Sequence, residues 1–139
     1  MAKDQELAEK IYFHGGFNCA QSVIELLRET DDEIPAEFTK ALEGFGGGLR
    51  RGSACGALVG AVMYVGLKTG RENMEDNFDT NWEIQDWLEN EFAKTEGGLT
   101  CMELAKDYVP RSDEMYNHCR KCVVRTAQLA REAMKKATK

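Results

Sequence analysis

The chain has 139 residues, 42% hydrophobic and 30% charged, with 24 acidic against 18 basic side chains and a formal charge of −6. That length suits one domain, expected to span residues 1–139, with a core that stands without disulfide or metal staples. The acidic balance argues against a nucleic-acid partner and against an anionic membrane surface, since either needs a concentrated basic face.

The N-terminus, Met1-Ala2-Lys3-Asp4-Gln5-Glu6, is polar, so no secretory signal is predicted. Leu7, Ala8, Ile11 and Tyr12 fall on one face of a first helix, which Gly15-Gly16 breaks. Asn18 is a cap for a second helix, with Gln21 at the reciprocal position, and Cys19, Ala20, Val23, Ile24 and Leu27 form its apolar face. Glu29 to Glu33 reads as a loop. Pro35 fits the first position of a third helix carrying Phe38, Ala41, Leu42 and Phe45.

A glycine-rich loop follows, Gly46-Gly47-Gly48-Leu49-Arg50-Arg51-Gly52. Ser53 is the predicted N-cap of a fourth helix, Ala54 to Lys68, which puts Cys55 in its first turn. There the helix dipole and the nearby Arg50 and Arg51 favour a thiolate. The apolar run from Ala54 to Leu67 is 14 residues long with three glycines, too short to span a bilayer. It predicts the central, most buried element. Gly56 and Gly60 make a small-residue face where another backbone could pack, whether a neighbouring helix or a second copy in a homodimer. The glycine run lacks the lysine of a P-loop and follows no strand, so it does not read as a nucleotide site.

A fifth helix is expected from about Phe78 to Lys94, with Trp82 and Trp87 read as core or interface. Glu96-Gly97-Gly98 ends it. Thr100 and Glu103 form a capping box for a short sixth helix bearing Cys101. Pro110 stops that helix. The last helix starts at Asp113 or Asn117 and runs to the C-terminus with a stripe of Cys119, Cys122, Val123, Thr126, Ala130 and Ala133. The fold class is thus all-α, a single-domain bundle of about six to seven helices around a central apolar helix at about 54–68.

A cytoplasmic setting is the expectation. Structural disulfides are rare there, and five cysteines then point to metal binding or redox chemistry. Cys19, Cys55 and Cys101 each fall at the start of a predicted helix, and Cys119 does so if the last helix begins at Asn117. Unpaired N–H groups and the helix dipole at such a start stabilise a thiolate, the nucleophilic and ligating form. Cysteine is also common as a small core residue, and each of these fits that role too. Cys119 and Cys122 form a C-x-x-C on one helical face, which could clip a metal, with His118 beside them as a further candidate ligand. No second C-x-x-C exists for a zinc ribbon, and no βαβ pattern surrounds this one as in a thioredoxin.

Asn18-Cys19-Ala20-Gln21-Ser22-Val23, Gly46-Gly47-Gly48, Cys55-Gly56-Ala57-Leu58-Val59-Gly60, Cys101 and Cys119, in that order, resemble the redox-active family named for its C_GCAxxG_C_C cysteine pattern. The resemblance covers about Gly16 to Leu129. It implies a small helical protein with a redox role, in which the cysteines hold an iron–sulfur cluster or another metal or cycle through disulfides. It names no substrate and no defined reaction, and it leaves the redox partner protein unidentified. Under it, Cys19, Cys55, Cys101 and Cys119 converge on one site as the redox residues. Cys122 and His118 are further candidate metal ligands. Gly46, Gly47, Gly48, Arg50, Arg51 and Gly56 shape and charge the cofactor wall. Whether Cys119 or Cys122 is the family's last cysteine stays open.

Overall fold

The computed structural model describes residues 2–137. The predicted continuation of the last helix to Lys139 therefore lies partly outside the described residues. Seven α-helices occur among them: α1 Ala2–Ile11, α2 Cys19–Arg28, α3 Glu37–Ala41, α4 Gly56–Thr69, α5 Asp79–Glu96, α6 Cys101–Leu104 and α7 Asp113–Ala137. No strand is formed among the described residues, so the chain is all-α as expected.

The bundle is built on α4 and α7. Helix α4 packs against α2, α5 and α7, while α7 runs along α1, α2, α4 and α5. Ala57, Ala61 and Val65 of α4 are fully buried against Val23, Ile24 and Leu27 of α2 and Val123, Ala127 and Ala130 of α7. Small residues let the α2 and α4 backbones come close. A Cβ on Gly56 would stand 2.9 Å from the Phe45 carbonyl oxygen and 3.2 Å from Cys19 Cβ. One on Gly60 would stand 2.8 Å from the Ala20 carbonyl oxygen. The small-residue face is thus covered by α2 of the same chain, which leaves no room there for a second copy.

A buried ion pair ties the N-terminal helix to the rest. Asp4, 4% exposed, receives two hydrogen bonds from Arg131, at 2.6 and 3.0 Å, and the same guanidinium donates to the Leu26 carbonyl at 2.9 Å. Three helices meet at this one side chain, and the fork geometry of arginine makes that possible.

Two local expectations are corrected. Helix α3 begins at Glu37 with Ala36 at its cap, so Pro35 lies just before the helix instead of opening it. Trp82 is 62% exposed, its ring tilted against Phe78 with centroids 4.7 Å apart, and is not core. Trp87 does pack on the core, with Lys136 over its ring at 4.8 Å. Among the described residues no helix is long and apolar enough to cross a membrane.

Candidate functional site

Five cysteines from four helices meet at one end of the α2–α4–α7 core. Each is placed by a local device. Asn18 accepts from the Gln21 N–H at 2.9 Å, and the Gln21 side chain accepts from the Asn18 N–H at 3.1 Å. This reciprocal cap, predicted from Asn18 and Gln21, starts α2 and puts Cys19 at its first position. The Asn18 amide also donates to the Leu42 and Glu43 carbonyls, both at 3.0 Å, which anchors the chain entering the glycine stretch. Gly46 passes so close that a Cβ there would sit 2.6 Å from Asn18 Cβ.

The glycine stretch is a single left-handed turn. Gly47, Gly48, Leu49 and Arg50 follow one another at φ between 61° and 63°, and the Ser53 N–H closes the turn onto the Gly48 carbonyl at 2.8 Å. Left-handed backbone is costly for residues with a Cβ, so Leu49 and Arg50 are held there by their surroundings. The contact on the inner side is with Cys101. A Cβ on Gly48 would stand 2.9 Å from Cys101 Cβ and 2.4 Å from the Ser53 carbonyl oxygen. The turn forms a wall against Cys101, with Arg50 and Arg51 exposed on its outer side.

The chain leaving this turn does not follow the predicted cap. Ala54 pairs with Thr100 in an antiparallel bridge. The Cys55 N–H donates to the Leu99 carbonyl at 2.8 Å, and the Cys101 N–H donates to the Ser53 carbonyl at 2.7 Å. The bridge holds Ser53 and Ala54 extended, so Cys55 takes the N-cap position of α4 in place of Ser53. The same bridge brings the starts of α4 and α6 side by side. Thr100 and Glu103 form the capping box read from the sequence, and Cys101 opens α6. Helix α7 begins at Asp113, so Cys119 and Cys122 lie inside it and not at its start. The helix-start placement holds for Cys19, Cys55 and Cys101 and fails for Cys119, but the thiolate it was expected to favour is favoured only at Cys55 among the three, since burial and neighbouring thiols raise Cys19 and Cys101.

The thiols fall into pairs. Cys119 interacts with Cys19, and one turn along α7, Cys122 interacts with Cys55. Residues of the C-x-x-C thus engage different partners instead of clipping one atom between them. Within each pair the two groups are pushed apart. Hydrogen bonding from Cys19, and then from Tyr12, draws the Cys119 pKa down to about 7 against the opposing effect of burial. Cys19 is driven well above its ordinary value by hydrogen bonding to Cys119, by burial and by the neighbouring thiolates of Cys55 and Cys119. In the inner pair, hydrogen bonding from Cys122 lowers the Cys55 pKa, helped by the main-chain N–H groups of Leu58 and Ala57 at the start of α4. Hydrogen bonding to Cys55, together with burial, raises that of Cys122. Burial raises Cys101, and the charges of Cys55 and Cys119 add to it. Cys122 and Cys55 are buried, while Cys19, Cys101 and Cys119 are partly exposed, and all five are free thiols.

Tyr12 completes the site and was not foreseen as part of it. Its ring is 3% exposed, and its hydroxyl accepts a hydrogen bond from the Cys19 thiol at 3.1 Å. Burial, reinforced by the charges of Cys19 and Cys119, keeps the phenol protonated far above its usual range. Arg120 of α7 donates twice to the Tyr12 carbonyl, at 2.8 and 3.2 Å, and so fixes the end of α1 against the helix that bears Cys119. A tyrosine on an otherwise apolar helical face seven residues before Cys19 was the available signal. His118 is placed elsewhere: its ring stacks on Tyr108 at 4.6 Å and 22°.

A sequence model of the family described as "Putative redox-active protein (C_GCAxxG_C_C)" matches residues 17–133. The chain belongs to this family. No curated protein and no solved structure matches it. The family is described as redox-active, and all five cysteines of this chain lie within the matched residues.

The iron–sulfur cluster or other metal that the family resemblance implies meets a donor set of a different kind. Among the described residues, no three histidine, cysteine, aspartate or glutamate side chains are grouped to hold a metal ion. The strongest interactions among the thiols are pairwise, Cys119 with Cys19 and Cys122 with Cys55, with weaker charge effects linking Cys55 and Cys101 to the outer pair.

Proposed function

We propose that this is a thiol–disulfide redox protein whose reactive pair is Cys119 with Cys19, and whose Cys55–Cys122 pair is a second, inner dithiol. The observation that carries the reading is the Cys19–Cys119 pairing. Two thiols from opposite ends of the chain are held together, one favoured as thiolate near neutral pH and the other kept protonated. That is the division of labour thiol–disulfide exchange requires, with one sulfur to attack and one to resolve.

The reaction runs with a disulfide-bearing partner protein. The Cys119 thiolate attacks one sulfur of the partner disulfide, breaking that bond, forming a mixed disulfide and releasing the other partner sulfur as a thiolate that takes up a proton. Cys19 then loses its proton and attacks the Cys119 sulfur. The Cys19–Cys119 disulfide forms and the second partner sulfur leaves as a thiol. Two electrons pass to the partner, and the reverse sequence returns them. A cytoplasmic location is part of the proposal, because the reducing poise there keeps all five thiols available between turnovers.

The test is oxidation of the anaerobically purified protein in a graded glutathione buffer, with disulfides mapped by mass spectrometry and metal and sulfide measured on the same sample. The expected result is metal-free protein that loses two thiols as a Cys19–Cys119 bond, followed by two more as a Cys55–Cys122 bond. Iron with acid-labile sulfide would replace this reading with a cluster protein, and stoichiometric zinc with a metal-binding module. Five thiols inert to both oxidant and metal would leave a structural role.

A further inference from the structure

We infer that the start of α5 and the loop before it form a docking surface for a basic amphipathic helix of another protein. The centre of this surface is apolar. Met74, Phe78 and Trp82 are 84%, 39% and 62% exposed. They form one contiguous group. The Phe78 and Trp82 ring centroids lie 4.7 Å apart. Arg71 links Phe78 to Met74, its guanidinium 5.2 Å from the Phe78 ring centroid and donating to the Met74 carbonyl at 3.3 Å. Single exposed apolar side chains are ordinary, but a contiguous group of methionine and aromatic residues has the composition of an interface core.

The loop is ordered without help from the core. Residues 70–80 are all exposed, and none belongs to the buried cluster. Their own polar groups hold them. The Asp76 carboxylate accepts from the Glu72 and Asn73 N–H groups, both at 3.1 Å, and the Asn77 side chain accepts from the Asp79 N–H at 2.6 Å. Asn81 then fixes the first turn of α5 to the end of α4 by donating to the Thr69 hydroxyl at 2.9 Å. The apolar side chains are thus presented on a defined backbone with nothing of this chain to cover them.

Charge selects the occupant. Residues 72–91 carry eight acidic side chains and no basic one, so the rest of this −6 chain is net +2. Asp79, Glu83 and Asp86 are exposed and make no ion pair among the described residues. They recur at helical spacing one residue round from Phe78 and Trp82, so an acidic stripe runs beside the apolar one. The complement is a helix whose apolar stripe is flanked by lysine or arginine, laid along α5. A nucleic acid or an anionic lipid surface would be repelled by the same acids. Helix α4 starts at Cys55 and is 14 residues long, so about 21 Å of helix separates this surface from that thiol. A partner seated here leaves the cysteines open, and the inference does not depend on their chemistry.

The experiment titrates the reduced, full-length protein with a synthetic amphipathic peptide of leucine and lysine. Affinity is read by calorimetry and the site by amide NMR shifts. The shifts should concentrate on residues 74–86, and added salt should weaken binding. Trp82→Ser should weaken it about tenfold, as loss of a central interface tryptophan does. Asp79→Asn combined with Glu83→Gln keeps the apolar contacts and should bind more weakly with a flatter salt dependence. Equal binding of a scrambled peptide of the same composition would overturn the inference, as would equal binding of a leucine–glutamate peptide, shifts confined to another face, or no binding. Self-association in sedimentation that Trp82→Ser abolishes would assign the surface to a second copy of this chain and overturn it too.

Discussion

Cys119 and Cys19, from opposite ends of the chain, interact and push each other's titration in opposite directions, Cys119 down and Cys19 up. The sign of the resulting pH dependence is fixed by the lowered member. Below pH 7 Cys119 is a thiol and reacts slowly. As the pH rises through about 7 it becomes a thiolate, while Cys19 stays protonated over the same range. Alkylation of Cys119, followed by site-resolved mass spectrometry from pH 5 to 9, should rise along a single titration with a midpoint near 7. A midpoint in the ordinary thiol range, about 8.5, would show that the pair is not coupled in solution.

The left-handed turn stores strain at Leu49 and Arg50, both at φ 61°. Replacing either by glycine removes the Cβ clash at the cost of extra freedom in the unfolded chain. Leu49→Gly is expected to be neutral or to stabilise the protein by up to about 1 kcal/mol in urea unfolding. Gly48→Ala should do the reverse, since its Cβ would enter the Ser53 backbone and the Cys101 side chain, with a loss of about 2 kcal/mol. It should also alter the alkylation rate of Cys101, because the wall moves against that residue. Equal stability of both variants would mean that the turn relaxes in solution.

Gly60→Ala probes the α2–α4 contact. The added methyl would sit 2.8 Å from the Ala20 carbonyl oxygen and 3.2 Å from Val23 Cβ. Alanine favours helix by about 1 kcal/mol over glycine. Overpacking between two fixed backbones costs about 1–3 kcal/mol. The steric cost should win, giving net loss of stability and, because α2 carries Cys19 and α4 carries Cys55, slower disulfide formation. A stabilised variant would show that the two helices separate easily.

Asp4→Ala leaves Arg131 buried against α2 without its carboxylate. Loss of one member of a buried pair costs about 3 kcal/mol, and the effect should appear as a lower midpoint in chemical unfolding. Asp4 lies far from the thiols along α1, so the pH profile of Cys119 in the folded variant should be unchanged. A change in that profile would tie the position of α1, and with it Tyr12, to the ion pair.

Much of the plan was legible from residues alone because it depends on neighbours in sequence. Asn18 with Gln21, and Thr100 with Glu103, are capping boxes in which the donor and acceptor are three residues apart, so they place Cys19 and Cys101 without knowledge of the fold. Gly56 and Gly60 announce a close helix contact by their spacing. The cysteine order itself carried the family.

What failed did so where a distant segment intervened. Ser53 is a good cap by local rules, yet Ala54 pairs with Thr100, and that bridge moves the cap to Cys55. Trp82 lies on a helix whose buried stripe is Ile84, Leu88 and Phe92, which turns the indole to solvent. The choice between Asp113 and Asn117 as the start of the last helix, left open by the sequence, is made locally: Ser112 accepts from the Met115 N–H at 3.2 Å and caps α7 just before Asp113.

The sequence by itself determined that the chain is helical, that its glycines allow close packing and that its cysteines belong to a redox family. It could do so because capping, periodicity and motif order are local properties of the chain. Only the tertiary structure decided which thiol meets which. Cys119 to Cys19 and Cys122 to Cys55 are contacts between segments far apart in sequence, set by how α7 packs against α2 and α4. Tyr12 enters the site for the same reason, through the docking of α1 on α7.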